Sequence, residues 1–164
     1  MAAKGADCFI EITSKSFFYL EEVKRLEKRY FPASERFDFD SELRRSSTKC
    51  YCYVREKHGE TVERRLPCVL AYAVYSQAKM KKRINKLCVA HEYRRNGYGT
   101  SMLHHVIGQI CRNLKEGTID LWVGVLREHA IRCYLKSNFI PMETVRDYYG
   151  PERDAIRMVY AIQP

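Results

Sequence analysis

The alternation of hydrophobic and polar residues predicts seven β-strands along the chain. Segments in which apolar residues alternate with polar ones are typical of strands with one buried face. Segments that are apolar throughout are typical of strands covered on both faces. The predicted strands are Phe9–Thr13, Cys50–Arg55, Cys68–Tyr75, Arg83–Ala90, Ile119–Leu126, Phe139–Arg146 and Ala155–Ala161.

Four segments between these strands have apolar residues at every third or fourth position, which predicts helices. Their ends are set by serine caps, proline and residues that adopt left-handed backbone conformations. The predicted helices are one capped by Ser14 or Ser16 and ended by Pro32, a short one within Phe37–Ser46, a long one ended by Gly117, and His129–Ser137 ended by Asn138.

The order of these elements predicts a mixed sheet. Cys68–Tyr75 is apolar on both faces, which is typical of a central strand. The basic run Lys79–Arg83 is expected to form a hairpin turn, so the third and fourth strands should be antiparallel. A helical crossover joins the fourth and fifth strands, which should therefore be parallel. We expect an α/β (α+β) fold with a mixed central sheet of about seven strands and helices on both faces.

The fourth predicted strand leads into a helix through a turn that contains Gly97 and Gly99. The first turn of a helix has backbone N–H groups without partners and partial positive charge, and glycines let an anion approach that backbone. Arg94 and Arg95 add positive charge beside the turn. The turn matches neither the Walker loop nor the full dinucleotide fingerprint. It nevertheless predicts a site for a phosphorylated cofactor.

Two motifs give the chain a family likeness. Arg94–Gly99, of the form R-x-x-G-x-G, is similar to the pyrophosphate loop of the GCN5-related N-acetyltransferases (GNAT). Ala130–Phe139, of the form A-x-x-x-Y-x-x-x-N-F, resembles a second motif of that family. The resemblance covers nearly the whole chain. It implies a single GNAT domain over residues 1–164, acetyl-CoA as co-substrate, and fourth and fifth strands that splay apart around the cofactor.

Four short stretches of sequence make the resemblance more specific, because they point to one group of enzymes within the family. They are Phe31-Pro32, Tyr93-Arg94-Arg95, Met102-Leu103 with His105-Val106, and Tyr148-Tyr149. Together they resemble the catalytic subunits of protein N-terminal acetyltransferases, most closely the NatE type. The resemblance implies direct attack of the α-amino group of a peptide or protein N-terminus on the thioester of acetyl-CoA. It also implies an auxiliary ribosome-associated subunit as a further partner.

The resemblance also assigns site residues. Tyr134 is implied as the acid that protonates the leaving thiolate. The implied substrate contacts are Phe31, Pro32, Tyr148 and Tyr149, and Glu35 is added as a carboxylate of the same substrate loop. The implied acetyl-CoA contacts are Leu87, Cys88, Val89, Arg94, Arg95, Asn96, Gly97, Tyr98, Gly99, Thr100, Arg127, Ala130, Tyr134 and Lys136.

Three positions depart from the NatE-type pattern. Arg83 and Trp122 replace the tyrosine and the histidine that take the proton of the amine through water, and neither side chain can act as a base. Glu35 replaces a tyrosine of the substrate loop; it is either a ligand for a cationic N-terminus or lysine, or a solvated charge. His104 and His105 are neighbours on one helix and point in different directions, so we expect both to be structural.

These departures leave three functions open. The first is an N-terminal acetyltransferase with an altered base and specificity, which is favoured because an α-amine titrates near ~8. The second is a lysine or polyamine acetyltransferase, which needs a base more because the pKa of lysine is near ~10.4. The third is a catalytically inactive acetyl-CoA-binding subunit of a larger complex.

Composition limits the other classes of function. The 164 residues carry a formal charge of +9 in small clusters without a nucleic-acid-binding signature, so no DNA partner is expected, although RNA contact at Lys79–Arg83 stays open. Seven scattered cysteines and the absence of an apolar leader favour a cytoplasmic location, with the nucleus as a second compartment. Because Cys50-x-Cys52 lacks zinc-site spacing, no metal is expected. The apolar stretches are too short for a membrane span, so no membrane partner is expected.

Overall fold

The computed structural model describes residues 7–13, 16–55, 68–78, 81–112, 114 and 116–162. The strands are β1 (Asp7–Glu11), β2 (Thr48–Arg55), β3 (Cys68–Ala78), β4 (Lys81–Val89), β5 (Gly117–Gly124), β6 (Ile140–Val145) and β7 (Ala155–Ile162). The helices are α1 (Phe17–Tyr30), α2 (Phe39–Glu42), α3 (Tyr98–Cys111) and α4 (Glu128–Lys136), and short 3₁₀ turns lie at Ala33–Glu35 and His91–Tyr93.

The seven strands form one mixed sheet in the order β1-β2-β3-β4-β5-β7-β6. β4 and β5 are parallel, whereas the other neighbouring strands are antiparallel. The predicted seven-stranded mixed sheet, the order of the elements and the parallel pair are therefore confirmed. The left-handed backbone of Asn138, with a φ of 65°, ends α4 as predicted.

Two hydrophobic cores lie on opposite faces of the sheet. β3 is buried from Val69 to Tyr75, which confirms that it is a central strand covered on both sides. One face packs against the apolar stripe of α3, and the other against α1 and the segment that follows it. The main contributors from the helical side are Met102, Leu103, Val106, Ile107 and Ile110 on the first face, and Val23, Leu26, Phe31 and Phe39 on the second.

The ends of two helices differ from the prediction, and the cap residue of α1 makes a different hydrogen bond from the one expected. Ser16 is the N-cap residue of α1, but its hydroxyl donates to the Glu11 carbonyl and makes no capping hydrogen bond. α2 is shorter than predicted: it has only four helical residues and begins after Asp38, whose carboxylate caps its N-terminus. α3 ends at Cys111, and Gly117 begins β5 instead of ending the helix. Ser14 lies outside the described residues.

The basic run and the cysteines have structural positions. Lys81–Arg83 belongs to β4, so this part of the run is strand and not turn; Lys79 and Met80 lie outside the described residues.

Cys50 and Cys52 are buried in one core as free thiols, and burial raises the pKa of Cys52 to about 12. The described residues contain no group of His, Cys, Asp or Glu arranged to hold a metal ion. None of the described helices combines the length and hydrophobicity of a membrane span.

Candidate active site

A cleft opens where β4 and β5 separate. Among the described residues, these strands pair only at Arg83 with Asp120 and at Ile84 with Leu121. Beside this pair the register between β3 and β4 shifts, so that Asn85 is an extra residue of β4 and forms a bulge. β4 then diverges from β5, as predicted, and the cleft between them has a volume of about 320 Å³.

Three other parts of the chain enclose the cleft around β4. The loop after α1 contributes Phe31, Ser34 and Glu35; α4 and its N-cap residue contribute Arg127, Ala130 and Tyr134; β5 and the β6–β7 hairpin contribute Trp122, Val123, Tyr148 and Tyr149. The structure therefore brings together most of the predicted substrate residues and several of the predicted cofactor residues. Pro32 is exposed beside Phe31 and does not line the cleft.

The glycine turn lies at the N-terminus of α3, next to the end of β4. Gly97 is the N-cap residue and has a φ of 83°, a conformation that glycine adopts without strain. A Cβ added to Gly97 would meet no heavy atom within 4 Å, so the space above this backbone is open to an anion. Gly99 differs, because a Cβ there would lie in van der Waals contact with Val89 Cγ2 at 3.4 Å, so it faces the protein and not open space. The turn fits a phosphate group, and Gly97 supplies the open approach.

The side chains of the turn are largely engaged within the protein. The Arg94 Nε donates to the Val89 carbonyl at 3.1 Å, and the Asn96 amide donates to two backbone carbonyls. Tyr98 packs against Tyr53, while Thr100 lies 3.6 Å from the Cys133 thiol. Backbone N–H groups and the charge of the two arginines are thus the groups that the turn can offer to a ligand. Arg95 is exposed, with a φ of 65°, and Lys136 is exposed at the end of α4.

The predicted cofactor residues of β4 divide between the two faces of the sheet. Leu87 and Val89 pack against the core that includes α3, and Leu87 also lines the cleft. Cys88 is buried in the opposite core, where burial raises the pKa of its thiol to about 12. The thiol therefore stays protonated and does not face the cleft. The backbone of this diverging segment is what lies next to the opening.

Tyr134 lies inside the cleft on α4. Its side chain is almost fully buried, and its ring packs edge-on against Phe139 at a centroid distance of 5.8 Å. Burial raises the pKa of the Tyr134 hydroxyl well above its usual value. The hydroxyl consequently keeps its proton at neutral pH and is available as a donor at this point of the cleft.

Glu35 is a buried carboxylate. The expectation that it is a solvated charge is therefore wrong. Its side chain is 2% exposed and is held between two arginines. One carboxylate oxygen accepts from Arg127 at 2.6 Å, and the other pairs with Arg153 of the β6–β7 turn. The ion pairs link the loop after α1, the start of α4 and the hairpin across the cleft.

A second charged group lies where β4 and β5 still pair. Arg83 donates to Asp120 at 2.7 Å, and Arg157 of β7 donates to the same carboxylate at 3.3 Å. Burial opposes ionisation of Asp120, but these arginines lower its pKa overall. Arg83 and Trp122 both line the cleft. Neither side chain can accept a proton there.

The hairpin tyrosines are fixed against β5. The ring of Tyr148 stacks on Trp122 with centroids 4.4 Å apart. The Tyr149 hydroxyl donates to the Trp122 carbonyl at 3.1 Å, and burial raises its pKa. Together with the buried Phe31 ring of the loop after α1, these rings form an aromatic part of the cleft lining, which we call the aromatic entrance.

Sequence reasoning missed Lys86 and its partner Glu27. The ammonium of Lys86 lies 3.9 Å from the centroid of the Phe31 ring and 3.2 Å from the Glu27 carboxylate. Glu27 is buried and also accepts from the Tyr72 hydroxyl and from the Phe37 backbone N–H. Burial lowers the pKa of Lys86. A signal was present for Glu27, which falls on the apolar stripe of α1. Lys86 follows several other polar residues of β4, so the sequence did not single it out.

The two histidines of α3 are remote from this cleft. The His105 ring stacks on Phe9 at 4.0 Å and contacts Tyr51, and burial lowers its pKa. His104 is exposed. Neither residue lines the cleft.

The chain matches known proteins in both sequence and structure. Residues 20–139 match the model of the Acetyltransferase (GNAT) family. N-alpha-acetyltransferase 50 of Danio rerio is 41% identical over 78 residues, which make up 46% of this chain and 45% of that relative. The match therefore spans less than half the length of the relative.

Two solved structures show the same fold. NAA60 of Arabidopsis thaliana in complex with acetyl-CoA has a TM-score of 0.76 at 17% identity, over 96% of this chain and 99% of that chain. A chain of the NatC complex bound to Gag peptide and CoA has a TM-score of 0.75 at 19% identity, over 93% of this chain and 96% of that chain. At these identities the likeness concerns the fold.

Proposed function

Since the chain belongs to the Acetyltransferase (GNAT) family, we propose that it transfers the acetyl group of acetyl-CoA to the α-amino group of a peptide or protein N-terminus. The observation that carries this proposal is the cleft between β4 and β5, which is lined by Tyr134 and by the aromatic residues Phe31, Tyr148 and Tyr149. The identity to an N-alpha-acetyltransferase supports the same reaction. A cytoplasmic location and an auxiliary ribosome-associated subunit are proposed together with it.

Two parts of the chain are suited to hold acetyl-CoA. Phosphate groups would bind at the N-terminus of α3, where the open backbone at Gly97, Arg94 and Arg95 favour an anion. The diverging segment of β4 lies between this turn and the cleft, and its backbone N–H groups are suited to polarise the thioester carbonyl. Acetyl-CoA supplies the acetyl group, which the substrate amine attacks directly.

The titratable side chains that line the cleft favour an α-amine as the group that accepts the acetyl. Among the described residues that line it there is no histidine, and its one carboxylate, Glu35, is held in two ion pairs. An α-amine with a pKa of about 8 is partly neutral without a strong base, whereas a lysine amine with a pKa of about 10.4 is not. Water that enters the open cleft can take the proton released on attack.

Tyr134 is proposed as the acid of the reaction. The leaving thiolate needs a proton, and a buried tyrosine that keeps its hydroxyl hydrogen at neutral pH can donate one. The aromatic entrance formed by Phe31, Tyr148 and Tyr149 would hold the first residues of the peptide. Tyr149 is fixed by its hydrogen bond to the Trp122 carbonyl, so the entrance is preorganised.

Acetyl transfer to matched peptides tests the proposal. Purified protein and labelled acetyl-CoA are incubated with a peptide that has a free N-terminus and no lysine, and with the same peptide blocked at the N-terminus but carrying one lysine. We expect label on the free N-terminus alone. Label on the blocked peptide alone would replace the proposal with lysine acetylation. Absence of transfer despite calorimetric binding of acetyl-CoA would replace it with an inactive acetyl-CoA-binding subunit.

A further inference from the structure

The charged side chains around the cleft have their carboxylates buried and their cations more exposed. The side chains of Glu27, Glu35 and Asp120 are 3%, 2% and 9% exposed. The side chains of their cationic partners are more exposed: 12% for Lys86, 23% for Arg83, 36% for Arg157, and 41% for both Arg127 and Arg153. Of these residues Arg83, Lys86, Arg127 and Glu35 line the cleft, so a molecule that enters it meets three cations and one buried carboxylate.

Around the cleft, the cations outnumber the carboxylates at one place, the pair of arginines that contact Glu35. This single carboxylate is shared by Arg127 and Arg153, so the three residues carry one uncompensated positive charge. The other groups are balanced: Lys86 pairs with Glu27, and Arg83 and Arg157 share Asp120 while Arg157 also pairs with Glu143 at 3.2 Å. The uncompensated charge bridges the loop and the hairpin that form the cleft walls.

Glu35 is consequently occupied before a substrate arrives. Its two oxygens are engaged by different arginines, so a cationic side chain would have to displace one of them and would be repelled by both. A carboxylate avoids this conflict, because it can accept hydrogen bonds from the exposed edges of Arg127 and Arg153 while Glu35 stays in place.

We propose that the cleft selects protein N-termini with an acidic side chain at the first or second residue, and that Arg127 and Arg153 are the residues that determine this specificity. The inference rests on the proposed N-terminal acetyltransferase function and names its substrate class. The overall charge of +9 adds to this selection, because it attracts acidic peptides from solution.

Peptides that differ at one position test the selection. A lysine-free peptide with a free N-terminus is prepared with Glu, Gln or Lys as residue 1, and a second set carries the same changes at residue 2. We expect kcat/KM for Glu to exceed that for Gln by about fivefold at one of the two positions, and Lys to be the poorest. The ratio should fall as salt is added, because counterions screen exposed charges. Equal or better use of Gln at both positions would overturn the inference.

Two arginine variants test whether the preference for acidic N-termini depends on the arginines around Glu35. Arg153→Gln removes one of the two arginines that pair with the cleft residue Glu35 and leaves Arg127 in place, whereas Arg146→Gln removes an exposed cation of the same hairpin that does not pair with Glu35. Both lower the net charge by one. We expect the Glu-to-Gln ratio to drop at least twofold in Arg153→Gln alone, with the KM for acetyl-CoA unchanged. Equal ratios in the two variants would overturn the assignment to this site.

The outcomes separate the two proposals. If neutral and acidic N-termini are acetylated equally, the inference about acidic substrates fails and the N-terminal acetyltransferase function stands. If no free N-terminus in either set accepts the label, the proposed function fails, and the specificity inference fails with it.

Discussion

Removal of the Glu27 carboxylate is the perturbation whose effect can be worked out most directly from the contacts. One of its oxygens accepts from the Phe37 backbone N–H at 2.7 Å and pairs with Lys86 at 3.2 Å. The other oxygen accepts from the Tyr72 hydroxyl. Glu27→Ala therefore leaves the buried Tyr72 hydroxyl and the partly buried Phe37 N–H without this acceptor, and leaves the Lys86 ammonium with the Glu35 backbone carbonyl but without its counter-ion.

The expected loss in the free energy of unfolding is several kcal/mol. A buried donor without a partner costs about 1–3 kcal/mol, and breaking a buried ion pair by removal of one member costs about 3–5 kcal/mol. These terms overlap because all three groups share one carboxylate, so we expect a total of about 3–5 kcal/mol. For a chain of this length, that loss corresponds to a decrease in Tm of about 10 °C.

Urea denaturation followed by far-ultraviolet circular dichroism measures this loss. Glu92→Ala is the matched control, because Glu92 is 55% exposed and pairs with Arg29 at 3.5 Å on the surface; it should leave the urea midpoint nearly unchanged. The double variant Glu27→Leu with Lys86→Met should recover part of the loss, since it removes both charges. A loss below about 1 kcal/mol in Glu27→Ala, or a double variant less stable than the single one, would refute the reasoning.

Three further predictions concern the cofactor turn, the acid and the pH dependence of stability. Gly97→Ala should weaken acetyl-CoA binding about tenfold in calorimetry, because alanine at a φ of 83° is strained by about 1–2 kcal/mol and the free turn can relieve this strain only by leaving the conformation that binds the phosphate; Gly108→Ala, within the same helix, should bind normally. Tyr134→Phe should lower kcat about 100-fold while the KM for acetyl-CoA changes little, and an unchanged kcat would remove its acid role. The lowered pKa of His105 means that the unfolded chain binds more protons just below pH 6.5, so the free energy of unfolding should fall as the pH drops through 6.5. Urea midpoints should show this slope in the native protein and in His104→Gln, and a smaller one in His105→Gln.

The elements that local pattern controls were predictable from the sequence. The continuous apolar run of β3 identified a strand covered on both faces, and Asn138 identified the end of α4. Ser16 is the N-cap residue of α1, which is one of the two predicted positions, but the partner of its hydroxyl lies outside the helix. Ser16 could not be recognised as a donor to the Glu11 carbonyl, because that bond depends on the path of the chain between β1 and α1.

The same distinction holds for the site. The glycine turn is local, so its position before α3 and the open backbone at Gly97 followed from sequence. Glu35 is different, because its burial depends on Arg127 and Arg153, which come from elements about a hundred residues further along the chain. No local pattern records that two arginines converge on one carboxylate, so the sequence left its role open.

Trp122 gives this protein a built-in optical reporter. It is the only tryptophan in the chain, and its indole stacks on Tyr148 at the entrance of the cleft. An occupant that displaces the Tyr148 ring or excludes water from this stack changes the polarity around the indole, and hence its emission. Occupancy can thus be followed by intrinsic fluorescence, without a label and without turnover. Variants that no longer transfer acetyl groups can therefore still be titrated with peptide.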